Sequence, residues 1–190
     1  PVGMIRVLSG SRLIQESLTL ALGNLLLRRA VVLVADYPLG SALALLPGVQ
    51  GPCVVKTASD SPYYLSDLVA LGPAGLVLEG AGLDFLRWTL QQVSEGQRVL
   101  PRLGEVGLTR KERAVLRLLV GGVCNDAISA HLGISPRRTA NLVSTVKRAL
   151  GAETRADVVL RYFGLAPEPI IKATLQKTGN FSLPHEVETA

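Results

Sequence analysis

Apolar positions change their spacing once along the chain, near residue 100. Before it they come in short contiguous runs separated by helical stretches. Met4–Leu8, Val31–Ala35, Pro52–Lys56 and Gly75–Leu78 read as strands. Leu13–Leu27, a short segment near Ser41–Leu46, Tyr63–Leu71 and Leu83–Val93 read as helices between and after them. Strand-helix alternation predicts a parallel α/β sheet with helices on both faces and sites at the carboxyl ends of the strands. On the closing helix Leu83, Leu86, Leu90 and Val93 share a face, and Phe85 and Trp88 point away from it.

After residue 107 the spacing is helical throughout. Thr109 and Glu112 form a capping box that opens a helix with Val115, Leu118 and Leu119 on its apolar face, and Gly121-Gly122 ends it. A short helix over about 125–132 follows, capped by Cys124 or Asn125, with Ile128 and Leu132 inward. Gly133-Ile134-Ser135 turns into a third helix, whose start is marked by Ser135 at the N-cap and Pro136 at the first helical position. Two short helices joined by a glycine-containing turn are a helix-turn-helix pattern, whose second helix enters the major groove of DNA. In that helix Leu142, Val143, Val146 and Leu150 form the apolar face, while Arg137, Asn141, Ser144 and Arg148 form the opposite one. Arg137 and Arg138 stand in the first turn, where the helix dipole disfavours cations and a bound phosphate would offset the misplacement. A fourth helix, about 154–163, carries Val158, Val159 and Tyr162.

Residues 108–163 resemble the DNA-binding domain of LuxR-type (NarL/FixJ-like) transcription regulators. The matching pieces are Leu108-Thr109 with Glu112, Val115-Leu116, Leu118-Leu119, Gly122, Asn125, Ile128, Ala130, Leu132-Gly133-Ile134-Ser135, Leu150-Gly151 and Arg155-Ala156. The family usually carries Thr-Val-Lys-x-His on the recognition helix; those places here hold Arg138, Thr139, Ala140, Asn141 and Leu142. The family's base-reading lysine is therefore Ala140, and the chain is expected to read a different DNA sequence. Asn pairs with adenine and Arg with guanine in the major groove. Arg137 and Asn141 are assigned to base edges, and Arg138, Ser144, Lys147 and Arg148 to phosphate or the groove rim.

The first hundred residues resemble the receiver domain of response regulators, best over Val54–Ser59 and Gly72–Glu79. Receivers have five βα units and this chain has about four, which leaves open whether Val31–Ala35 is the family's second or third strand. Receivers hold Mg²⁺ with an acidic pair after the first strand, where Ser9-Gly10-Ser11 stands; a hard divalent cation needs such carboxylates. The family's phosphate-binding lysine is Glu79. Asp36 follows an apolar strand as a phosphoacceptor does, and Thr57 matches the family's switch threonine. Without the metal ligands and the lysine, Asp36 is assigned to capping a helix or turn. The expectation is a pseudo-receiver without phosphotransfer, with no metal and no cofactor, in which the fold serves dimerisation, partner docking or ligand sensing. The resemblance implies a homodimer through the closing helix (Phe85, Trp88) and the last helix of the DNA-binding domain (Val158, Tyr162), suited to a palindromic site in double-stranded DNA.

The organisation expected is therefore an α/β receiver-like parallel-sheet domain (1–100), a linker (101–107), an all-α helix-turn-helix domain (108–164) and an extension (165–190). In the extension Ile170–Leu175 is a candidate strand or short helix. Charge follows this division. Residues 104–165 hold ten Lys/Arg and five Asp/Glu, residues 1–103 eight and seven, and the whole chain is +5. A hydrophobic content of 48% suffices for packed cores. No apolar run reaches bilayer length and no signal peptide opens the sequence, so a cytoplasmic protein without membrane contact is expected. Pro1 is not a natural start, and Met4 is a candidate one. Cys53 and Cys124 are read as buried free thiols. With two histidines and no phosphate loop, paired-carboxylate site or Cys/His metal spacing, an enzyme is not expected. The alternative to a DNA-binding regulator is an adaptor that uses both folds to bind protein.

Overall fold

The computed structural model describes residues 3–104 and 106–165. The Ile170–Leu175 segment and the rest of 166–190 lie outside the described residues.

Four strands, β1 (Ile5–Ser9), β2 (Val31–Ala35), β3 (Cys53–Thr57) and β4 (Gly75–Leu78), form one parallel sheet in the order β1-β2-β3-β4. The sheet is in register, with Val7 opposite Leu33, Leu33 opposite Val54 and Val54 opposite Gly75. The doubly wound order of flavodoxin-like folds is 2-1-3-4-5. Removing its second strand leaves a strictly sequential sheet, as observed. With β1 matched to the family's first strand, the missing unit is the second, and Val31–Ala35 stands in the place of the third strand.

Side chains alternate across each strand, so the sheet feeds two cores. On one side Val7, Leu33, Val54 and Val77 pack with α1 (Arg12–Leu22) and α4 (Gly82–Ser94). On the other, Val34, Val55 and Leu76 pack with α2 (Ser41–Leu45) and α3 (Pro62–Ala70). The helix expected over Leu13–Leu27 ends at Leu22, because Gly23-Asn24 breaks it before Leu27 returns to the core. On α4, Leu86, Thr89, Leu90 and Val93 are buried, whereas Leu83, expected on that face, stays 41% exposed in the first turn.

The second half is all-helical: α5 (Arg110–Val120), α6 (Asn125–Leu132), α7 (Pro136–Ala149) and α8 (Arg155–Tyr162). The Thr109–Glu112 capping box forms as expected, and Thr154 and Asp157 make a second one that opens α8. Gly133 closes α6 at φ 61°, the left-handed conformation that glycine adopts without a Cβ penalty, and this bends the chain into α7. The core of these helices is continuous with the α2/α3 side of the sheet. Cys53 is buried, and burial raises its thiol pKa. Cys124, expected to be buried, is exposed, because the N-cap of α6 sits at the surface.

Candidate nucleic-acid interface and the contact between domains

The α6–turn–α7 unit is held by its own polar bond. Thr139 on α7 is fully buried and its hydroxyl lies 2.7 Å from that of Ser129 on α6. Val146 and Leu150 are also buried, which fixes the roll of α7 about its axis. That roll leaves Arg137, Asn141, Ser144 and Arg148 exposed on one stripe. Arg138 and Lys147 flank it on opposite sides. Arg138 is fully outward, whereas Lys147 is half-buried beside Asn125 and Arg155 in a cleft of about 190 Å3. Ser135 caps the helix by accepting the Arg138 N–H, as expected. The exposed face of α7 thus combines two guanidiniums with an amide and a hydroxyl, and has no acid in its first turn. This is the chemistry of a surface for phosphates and base edges.

At the carboxyl ends of the strands, Asp36 is 5% exposed and its carboxylate is filled from within. Oδ1 accepts the N–H groups of Gly40 (2.9 Å) and Ala42 (3.0 Å), which makes Asp36 the cap of α2. Oδ2 accepts the hydroxyls of Thr57 (2.7 Å) and Tyr64 (2.8 Å). Around it, the Ser9 hydroxyl donates to the Tyr37 carbonyl, and Glu79 pairs with Lys56 at 2.9 Å. Two serines and a committed aspartate do not fit the divalent cation that receivers hold at this place. Among the described residues no cluster of three or more His, Cys, Asp or Glu side chains forms a metal-binding group.

The second buried carboxylate, Asp67 on α3, joins the two halves of the chain. It accepts from Arg113 (2.8 Å) and, through both oxygens, from Arg117 (2.6 and 3.0 Å) on α5, and from the Tyr162 hydroxyl (2.7 Å) on α8. Burial pushes the Asp67 pKa up. The hydrogen bonds from Arg117, Tyr162 and Arg113 and the charge of Arg117 outweigh that, so it lies below the ordinary carboxylate value. Tyr64 links the two carboxylates. Its hydroxyl is on Asp36, and its ring meets Tyr162 edge-on at 5.6 Å and Phe163 at 5.1 Å. Burial, reinforced by the Asp36 charge, raises the Tyr64 pKa. Burial and the Asp67 bond do the same for Tyr162, so both remain protonated donors. Nearby, the Tyr63 hydroxyl donates to the Ala149 carbonyl at the end of α7.

This arrangement separates the residues expected at a dimer surface. Phe85 and Trp88 are 41% and 46% exposed and stack at 5.4 Å on the outer face of α4. Val158 and Tyr162 are 0% and 1% exposed. Val158 packs inside the helical core and Tyr162 against Asp67, so α8 turns both of them inward instead of offering them to a second copy. The domain contact itself was missed in the sequence. Its signal was an acid, Asp67, on the apolar face of a helix, and two arginines four apart, Arg113 and Arg117, on another.

A receiver-like α/β domain lacking one βα unit therefore carries a helix-turn-helix domain. Residues 106–162 match the family described as bacterial regulatory proteins, luxR family. Transcriptional regulatory protein MctR of Rhizobium johnstonii is 29% identical over 122 residues, 58% of this chain and 57% of that protein. Transcriptional regulatory protein YdfI of Bacillus subtilis is 23% identical over 125 residues, 57% of this chain and 59% of that protein. The similarity thus spans less than two thirds of either relative. Among solved structures, RcsB from Salmonella enterica serovar Typhimurium bound to promoter rprA in the presence of phosphomimetic BeF3- superposes with a TM-score of 0.56 at 18% identity, over 85% of this chain and 98% of that one. At this identity the likeness concerns the fold, a receiver sheet followed by a helix-turn-helix.

Proposed function

We propose that the protein is a sequence-specific DNA-binding transcription regulator. The observation that carries this reading is the exposed stripe Arg137, Asn141, Ser144 and Arg148 on the second helix of a luxR-family helix-turn-helix. Arg137 and Asn141 read base edges; Arg138, Ser144, Lys147 and Arg148 hold phosphate and the groove rim. That YdfI and MctR are named transcriptional regulatory proteins supports the reading.

The regulator acts as a homodimer and without aspartyl phosphorylation. Phe85 and Trp88 on α4 supply the apolar surface for a second copy, since exposed paired aromatics mark interfaces. Regulation independent of phosphate is favoured by the four hydrogen bonds that occupy the Asp36 carboxylate and by Glu79, whose charge repels a phosphoryl group. Its input is a protein or small-ligand regulator, and its place is the cytoplasm with the DNA. No helix among the described residues is long and apolar enough to cross a membrane.

Selection of bound fragments from genomic DNA, followed by anisotropy titration in increasing salt, tests the reading. The expected affinity falls with salt at a slope of roughly −0.9 per neutralised phosphate. Absence of binding at low salt overturns it in favour of an adaptor that binds protein. Incubation with acetyl phosphate and Mg²⁺ should leave the mass unchanged; a stable phosphoryl adduct on Asp36 refutes the phosphorylation-independent part.

A further inference from the structure

The contact between the domains is incomplete on one side of Asp67. There α2, α3, α5 and α8 leave a cleft of about 500 Å3. Leu43, Ala70, Leu71 and Val120 wall it, and Arg117, Asp67 and Tyr162 stand at its polar end. Three features say what fits it. Leu71 remains 42% exposed on its wall, so an apolar occupant removes from water a surface that neither domain covers. Two guanidiniums, Arg113 and Arg117, meet one carboxylate, so the polar end carries one positive charge more than Asp67 neutralises. The Arg117 side chain is 53% exposed although its Nε and Nη2 are bound to Asp67, and its Nη1 makes no hydrogen bond among the described residues. An uncommitted guanidinium edge beside an apolar wall selects an acceptor with negative charge.

We infer that the cleft between the domains binds a small amphipathic anion, an apolar body with a carboxylate or phosphate head, with the head on Arg117 and the body against Leu43, Leu71 and Val120. The inference names the ligand that the regulator reading calls for and rests on that reading for its regulatory meaning, but not for the binding event. Both domains line the cleft, so an occupant holds them in the arrangement described and raises the unfolding temperature.

Calorimetric titration of the full chain with decanoate, decyl phosphate and decanol, each below its aggregation concentration, tests it. One of the two anions is expected to bind saturably at one site, roughly tenfold more tightly than decanol, the factor expected of one charge-assisted hydrogen bond. Which anion binds more tightly identifies the head group. Ala70→Phe fills the cleft from the exposed end of α3 and leaves the Asp67 cluster whole, so it should weaken binding at least tenfold at an unchanged unfolding temperature. Leu71→Asp places a like charge on the wall and should do the same. No saturable heat, equal affinity for decanol, or binding that survives both variants overturns the inference. DNA affinity measured on the same samples separates the two claims. DNA binding without anion binding refutes the cleft alone, and the absence of DNA binding refutes the regulator reading.

Discussion

The outer face of α7 and the pocket around Asp36 treat polar side chains in opposite ways. On α7, Arg137, Asn141, Ser144 and Arg148 are exposed with no side-chain hydrogen bond to another described residue, on a helix whose inner face is anchored by Thr139, Val146 and Leu150. In the Asp36 pocket both carboxylate oxygens are occupied, Oδ1 by the Gly40 and Ala42 N–H groups and Oδ2 by the Thr57 and Tyr64 hydroxyls. A rigid backbone presenting uncommitted donors is poised for an outside partner. A buried carboxylate with four internal donors is a structural element, because any new ligand must first displace bonds made in a low-dielectric interior. The polar stripe of α7 is left open to a partner, whereas the carboxylate of Asp36 is committed to its own domain.

The largest test of this contrast is removal of cations from the open face. Arg137→Ala with Arg148→Ala should cost about 3 kcal/mol of DNA affinity and flatten the salt slope by about one, read by anisotropy titration, since the bidentate base contact of Arg137 contributes about 1–3 kcal/mol and the phosphate contact of Arg148 about one unit of slope. The thermal unfolding of this variant should be unchanged. The closed pocket should respond in reverse. Asp36→Ala strands two buried hydroxyls and two N–H groups, and a loss of about 3 kcal/mol is expected in denaturant unfolding. An Asp36→Ala protein as stable as the parent erases the distinction between the two regions.

Asp67 lies between these extremes, filled from within but by the other domain. Asp67→Asn should cost about 2 kcal/mol, with the Arg117 share discounted because that side chain is 53% exposed. Its ionised form is the one the fold favours. The contribution is therefore complete above the ordinary carboxylate value of 3.8 and is lost as pH falls through and below it. Parent and Asp67→Asn stability curves should run parallel from pH 5 to 8 and converge only below about pH 4. Smallest is Thr139→Val, which removes the bond to Ser129 that sets α6 against α7. About 1 kcal/mol of stability is expected to go, and Ser129 keeps its bond to the Asn125 carbonyl.

Helix boundaries in the second half were legible to within a residue or two, because caps are local chemistry. Thr109 with Glu112, Ser135-Pro136 and Gly133 act on neighbours within four positions. The outward stripe of α7 was legible for the same reason, since helical period alone assigns faces. Lys147 shows the limit. Period places it at the flank, but packing beside Asn125 and Arg155 half-buries it. The four strands were legible from their apolar runs. Helix α1 was expected five residues too long, since Leu25 and Leu27 extend the apolar pattern past the break at Gly23.

The sequence by itself determined the two kinds of domain, the helix-turn-helix with its outward polar stripe on α7, and the presence of Ser9, Ser11 and Glu79 around Asp36. All of these follow from residue identity and spacing over a few positions. Tertiary structure alone decided that the second βα unit is the missing one, because strand order is a matter of pairing between distant segments. It alone turned Val158 and Tyr162 inward, because their apolar and aromatic faces find partners in the core and on α3, more than ninety positions away for Tyr162 and Asp67. And it alone joined the domains through Asp67, since a buried carboxylate is tolerated only where its counter-charges converge in space.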